Sequence, residues 1–312
     1  MPMKNQTTLT EFILLGLSSD PQLQIFLFLV FLVIYLITLA GNIVIMVVIR
    51  ADSHLHTPMY FFLFHLSFVD ICCSSVTVPN MLRNFLAAHK TISVNGCIAQ
   101  MFFILLSGGA EILILSAMAY DRYAAICDPL RYMERMSKGI CVQLVSGAWA
   151  ISLVHALLNT VFTFKLHFCG PNQISHFSCE LPPLLQLSCT DTLTNQVVLL
   201  TSVVIFASSA FLLTLISYIH IISTILRIRC AEGRRKAFST CSSHLIVVGL
   251  FYLTGFLQYT KPSSVSSVVL DEIFSIEYCI LTPMLNPIIY SLKNKEVKTA
   301  VGKMLGKFKF LK

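Results

Sequence analysis

Seven long stretches of predominantly apolar residues, 25–49, 58–80, 98–120, 140–163, 197–222, 238–260 and 268–291, constrain this chain more than anything else in it. Each is long enough, as a helix rising about 1.5 Å per residue, to cross a hydrocarbon core of about 30 Å. None shows the short alternation of a membrane barrel strand, so helices are expected. Composition agrees: 56% of residues are hydrophobic and 12% charged, where a soluble domain carries about 25% charge. The expected fold is an all-α membrane protein, a seven-transmembrane helix bundle. It forms one domain over 1–312, with an N-terminal segment 1–22, spans and loops over 23–291 and a tail 292–312. The second and seventh stretches are the least uniform, since both hold prolines and polar residues.

An odd number of spans puts the two ends of the chain on opposite sides. Lysine and arginine fix which is which, because they accumulate on the cytoplasmic side. With the N-terminus outside, 17 of the 22 basic residues are cytoplasmic, among them Arg122, Arg131, Arg135, Arg234, Arg235 and the seven lysines of 293–312. The formal charge of +7 is therefore a topology signal and an attraction to anionic membrane lipid, and it implies no nucleic acid partner. The polar first 22 residues have no compact apolar core of a cleavable signal, so the first span is expected to act as an uncleaved insertion signal. Asn5-Gln6-Thr7 fits the N-glycosylation pattern on the external side.

Four of the eleven cysteines are external in this topology: Cys97, Cys169, Cys179 and Cys189. Four cysteines allow three connectivities, which sequence does not choose between. The others lie in spans or face the reducing cytosol, where small packing residues are expected. Connections are short except the external loop of roughly 164–196, which holds three of those four cysteines. A long, cross-linked loop is usually functional. No internal repeat of the transporter kind is visible. In the tail, NKEVKTAVGKMLGK places Val297, Val301, Met304 and Leu305 on one helical face among lysines, which suits a short amphipathic helix along the inner membrane surface.

Ionisable groups inside a span are costly and point to function. Asp70, in LSFVD, lies 12 residues beyond Pro58, and Glu111, in GGAEIL, lies 10 residues before Asp121. At about 1.5 Å per residue both sit near the midplane. Two acids so close need a cation or a shared proton. One reading is a Na⁺ site completed by Asn42, Asn286 or Ser116; the other is a protonated, hydrogen-bonded pair that joins helices. Positions 104, 108, 111, 115, 118 and 122 form one helical stripe, so Glu111 and Arg122 share a face. Gly108 and Gly109 permit either close helix packing or a cavity. Arg122 at the inner boundary can pair with Asp121 or snorkel to headgroups. Pro283 and Pro287 remove helix hydrogen bonds and are expected to bend the seventh span.

Six strings occur in order, one per expected element: LHTPMYFFL (55–63), LSFVD (66–70), MAYDRYAAIC (118–127), SY (217–218), KAFSTCSSHL (236–245) and PMLNPIIYSLKNKEV (283–297). Together they resemble the olfactory receptors, a branch of the rhodopsin-like G-protein-coupled receptors, over essentially the whole chain. The resemblance implies that Arg122 engages the G protein, with Asp121 as its resting partner and Tyr123 completing the triplet. It implies that Tyr218, Asn286, Pro287 and Tyr290 support activation, and that Asp70 and Glu111 bind Na⁺. It pairs Cys97 with Cys179 and Cys169 with Cys189, and makes Asn42 and Trp149 helix landmarks. Leu253, His65 and Ala125 depart from the family pattern; the first is expected to alter pocket shape.

By the same resemblance a small odorant binds between the helices, lined by Ile104, Leu105, Gly108, Gly109, Ser202, Phe206, Tyr252, Gly255, Tyr259 and Cys279. That lining carries hydroxyls and no fixed charge, which favours a neutral, largely hydrophobic ligand. The expected partners are the odorant, a stimulatory olfactory-type heterotrimeric G protein acting through cAMP, and plasma-membrane lipid. No cofactor is expected beyond the Na⁺. A transporter would also use midplane carboxylates, but the odd span count and missing repeats argue against it. An enzyme would need a nucleophile–base pair or metal ligands, and no HExxH or comparable constellation is present.

Overall fold

The computed structural model describes residues 9–169, 172–260 and 268–309, so Asn5 lies outside the described residues. Helix α1 (Pro21–Ala51) starts where Asp20 caps it, the Asp20 side chain accepting from the Gln22 amide at 2.9 Å with Pro21 next in line. Helix α2 (Pro58–Leu86) also opens on a proline and carries Pro79 inside. Helix α3 (Val94–Cys127) is capped by Ser93, whose hydroxyl accepts from the Gly96 amide at 3.1 Å. Helix α4 runs over Lys138–Phe164 and α5 over Leu193–Arg227, the latter with a π-helical turn at Val203–Ala207. Helix α6 is Ala231–Thr260, and α7 covers 268–293, broken by a second π turn at Glu277–Leu281. Helix α8 is Lys295–Lys309.

Among the described residues, five helices, α1 to α5, are long and apolar enough to cross a membrane. The sequence expectation is seven, and the remaining two stretches, α6 and α7, border residues outside the described ones. Among the described residues α6 carries the apolar stretch His244–Thr254, preceded by first turns that hold Glu232, Arg234, Arg235 and Lys236. The π turn of α7 lies close to Pro283 and Pro287.

Helix α3 is the central element, packed against α2, α4 and α5, while α1 lies on α2 and α7. The predicted stripe faces this interior: Ile104, Glu111, Leu115 and Met118 are buried and Arg122 ends the row. Close approaches need small residues. A β-carbon on Gly41 would sit 2.9 Å from the Pro287 ring, which joins α1 to α7, and Asn42 Nδ2 donates to the Pro283 carbonyl at 2.9 Å across the same contact. Trp149 of α4 meets Phe68 of α2 edge-on at 6.0 Å.

Three short strands were not anticipated. Strand β1 (Glu11–Leu14) pairs antiparallel with β2 (Thr91–Ser93) and parallel with β3 (Gln173–Ile174), giving the order β2-β1-β3. Phe12 and Leu14 alternate with exposed or half-buried neighbours and are fully buried, Phe12 edge-on to Phe168 at 5.3 Å. These strands define the sheet end of the bundle, opposite its Arg122 end. At the latter α8 docks rather than floats: Val297 and Ala300 are buried in the same core as Tyr290 and Met59, and the Tyr60 hydroxyl donates to Glu296 at 2.7 Å.

Candidate functional site

Midway along the bundle, Asp70 and Glu111 are both fully buried. Asn286 of α7 donates to both oxygens of Asp70, each at 3.0 Å. Of the three groups expected to complete a cation site, only Asn286 reaches an acid. Asn42 is turned to the Thr38 and Pro283 carbonyls, and Ser116 to the Ile112 and Ala210 carbonyls. Both stand at the expected depth along their helices, but their direction around the axis points them elsewhere. Glu111 lies within electrostatic range of Asp70, yet neither of its carboxylate oxygens has a hydrogen-bond partner among the described residues.

A third acid joins them. Glu277, at the start of the α7 π turn, lies within electrostatic range of Glu111. Its Oε1 accepts from Thr282 at 2.9 Å, the Thr254 hydroxyl of α6 is within reach, and its Oε2 is buried without a partner. The sequence reading passed over Glu277, although the rule that selected Asp70 and Glu111 applies to it equally: it is an acid inside the seventh apolar stretch. Glu277 stands two residues from Cys279, one of the residues expected to line the pocket.

The ten residues expected to line a ligand pocket divide. Ile104 and Cys279 share one buried cluster, and Cys279 Sγ lies 3.9 Å from Cys73 Sγ of α2. Leu105 packs into a different cluster toward the sheet end. The two glycines separate: a β-carbon on Gly109 would fall 2.9 Å from Ser152 Oγ of α4, whereas Gly108 has no heavy atom within 4 Å of that place. Gly109 is a packing residue, and Gly108 faces open space. Ser202 is turned onto its own helix, bonding the Leu199 carbonyl, and Phe206 meets His155 of α4 at 6.1 Å. Tyr252 sits edge-on to Phe211 and brings its hydroxyl 3.5 Å from those of Ser116 and Thr214. The side chains of Gly255 and Tyr259 lie outside the described residues. Leu253 is 56% exposed, so this departure faces outward instead of shaping a pocket. A cavity of about 480 Å³ lies nearer the sheet end, between the turn at Leu181–Leu185 and the start of α5, and holds none of the ten.

At the Arg122 end the side chains interlock. Arg122 pairs with Asp121, its Nε donating to Oδ2 at 2.9 Å, and Asp121 is fully buried. The other Asp121 oxygen accepts from Tyr132 at 2.8 Å, on the short turn Tyr132–Arg135 that comes after α3. Burial, and then the Asp121 charge, hold the Tyr132 phenol above its ordinary range, so it stays a donor. Tyr132 was not among the predicted residues. Tyr123 lies between Tyr120 and His220, and Tyr218 hydrogen-bonds His244 of α6. Tyr290 is buried with its hydroxyl unpartnered among the described residues.

Two disulfides tie the sheet end together: Cys97 to Cys179, with Cα atoms 5.3 Å apart, and Cys169 to Cys189, at 5.8 Å. The first anchors the long loop to the start of α3, where Gln100 also accepts from the Cys179 amide at 2.9 Å.

Comparison with known proteins points the same way. The family model described as olfactory receptor matches residues 31–308. Olfactory receptor 5G9 of Mus musculus is 50% identical over 315 residues, covering 100% of both chains. Olfactory receptor 5A1 of Homo sapiens is 52% identical over 301 residues, 96% of each chain. Olfactory receptor 5G3 of Homo sapiens is 50% identical over 311 residues, 100% of this chain and 99% of the relative.

Proposed function

This chain belongs to the olfactory receptor family, and on that premise we propose that it binds small, mostly hydrophobic odorants inside its helix bundle and activates a stimulatory, olfactory-type heterotrimeric G protein, raising cAMP. It is a receptor and not an enzyme. The observation that carries the proposal is the Tyr132–Asp121–Arg122 interlock at the end of the α3 stripe, a charge held in reserve where a cytosolic partner would meet it. The sheet end then faces outside, consistent with its two disulfides and with the concentration of Lys and Arg toward the other end. All seven long helices would span the plasma membrane, with α8 against the inner leaflet. Asp70, with Asn286 beside it, and Glu111 would hold Na⁺ when no ligand is present.

Odorant binding favours the state in which Arg122 leaves Asp121, and the G protein favours that same state. The coupling is reciprocal, so bound G protein raises odorant affinity by the factor by which odorant raises G-protein affinity. Tyr218 and Tyr290 would take up Arg122 in that state. The test is cAMP in cells expressing the chain with an olfactory-type G protein against an odorant panel, alongside Arg122→Ala at matched surface level. A response lost in the variant supports the proposal; one that survives it refutes the role of Arg122.

A further inference from the structure

Cysteines inside the spans are expected to act as small packing residues, yet two of them are placed for more. Cys73 of α2 and Cys279 of α7 are both fully buried, and their Sγ atoms face each other at 3.9 Å. Other free cysteines meet oxygen instead: Cys127 lies 3.3 Å from the Thr224 hydroxyl and Cys141 3.7 Å from the Met136 carbonyl. A disulfide needs its sulfurs about 2.05 Å apart, so the pair has roughly 2 Å to close. The backbone there can give, because Cys279 sits in the middle of the π turn Glu277–Leu281, where the regular helical ladder is already interrupted. A small neutral reagent also has a way in. Both thiols share a buried cluster with Ile104, and Gly108, one turn along α3, faces open space.

We propose that Cys73 and Cys279 form an oxidisable dithiol site, which a small peroxide converts into a disulfide that staples α7 to α2. The Cys73 sulfur attacks one oxygen of hydrogen peroxide, the O–O bond breaks, and a sulfenic acid and one water result. The Cys279 sulfur then attacks that of Cys73, the S–S bond forming as the S–O bond breaks, and its thiol proton leaves in a second water. One peroxide is reduced to two waters and two thiols are oxidised to one disulfide. The product carries no charge and suits full burial. Asp70 keeps both hydrogen bonds from Asn286, so the staple is a second tie between the same helices, about one turn from Asp70 and two from Asn286. Its consequence for signalling rests on the odorant-receptor reading: with Asn286 and Tyr290 of α7 supporting activation, a stapled α7 disfavours the active state.

The experiment treats the full-length purified receptor in lipid nanodiscs with hydrogen peroxide and maps its cysteines by mass spectrometry. Cys230, which is exposed, is expected to oxidise first and reports that the dose is sufficient. A peptide joining α2 to α7, two hydrogen atoms lighter than its reduced parts, is expected to follow. It should vanish with dithiothreitol, survive Cys72→Ser and be absent from Cys73→Ser and Cys279→Ser, with alanine variants serving where a serine variant does not fold. Full oxidation of Cys230 with Cys73 and Cys279 still free overturns the proposal, as does a link that survives Cys73→Ser. Ligand-independent nucleotide exchange on a purified stimulatory G protein is read in parallel. It is expected to fall in proportion to the linked fraction and to recover with the reductant, beyond any change in Cys73→Ser, which keeps the outer disulfides. Exchange indifferent to linkage overturns the lock. Exchange no higher in untreated wild type than in Arg122→Ala removes the receptor reading, and the linked peptide then still decides the dithiol site.

Discussion

Replacing Tyr132 by Phe removes one hydroxyl and nothing else from the Arg122 interlock. In the resting arrangement Asp121 is fully buried and its two oxygens are divided, one to Arg122 and one to Tyr132 at 2.8 Å. The variant leaves a buried carboxylate oxygen without a donor, and a hydrogen bond to a charged group contributes about 1.5–3 kcal/mol. Tyr132 sits on an exposed turn where water can replace its hydroxyl, so the lower figure applies. That is about a tenfold change in the equilibrium between the locked and open states. From an open population of about 1%, a typical minor state, Tyr132→Phe raises it to roughly 9%. Basal cAMP per surface receptor should therefore rise several-fold without odorant, and Arg122→Ala on the same background should abolish the rise. Unchanged basal signalling at normal surface level would refute the reasoning, because the lock would then not depend on its second donor.

Gly109→Ala places a methyl group against Ser152 and should destabilise the bundle by about 1–3 kcal/mol, read as lower surface expression and a lower unfolding midpoint. Gly108→Ala meets open space and should leave stability unchanged while shifting ligand potency. Cys97→Ser opens a loop of 82 residues' separation; in the chain-entropy picture that costs about 4.5 kcal/mol, enough to remove most receptor from the cell surface. Cys230 is exposed between α5 and α6, and the amides of Gly233 and Glu232 lower its thiol pKa below the ordinary range. It should be the first cysteine labelled by maleimide at neutral pH, only when the reagent reaches the cytosolic face, and labelling should speed up as pH rises through that lowered value.

The helices were legible because long apolar runs have few alternatives in a membrane chain, although α1 and α3 begin four residues before their apolar stretches, where Asp20 and Ser93 cap them. The shared face of Glu111 and Arg122 was legible for the same reason, since α3 is unbroken and a 3.6-residue period carries over its whole length. Azimuth between helices was not. Ser116 and Asn42 stand at sensible depths but face other neighbours, which depends on helix rotation that no single sequence records. The π turns of α5 and α7 each add a residue and rotate the rest of the helix, which a uniform 3.6-residue period does not anticipate. The strands escaped notice because three or four residues pair only with segments far away in sequence. The alternation of Phe12 and Leu14 was their one local trace. Tyr132 was missed because a tyrosine in a loop has no pattern until its partner is known.

The β2-β1-β3 sheet draws the segment before α1, the α2–α3 connection and the long loop into one stitched layer, fastened to α3 by Cys97–Cys179. On the proposed reading, in which odorant enters the bundle from this end, the layer would act as a barrier that raises the cost of passage equally in both directions. It slows arrival and departure by the same factor and leaves the equilibrium constant untouched. Loosening it, for instance with Phe12→Ala, should therefore sharpen the onset and decay of a response to a brief pulse while the steady-state dose curve stays where it was. On that reading the layer would set the tempo of the receptor more than its sensitivity.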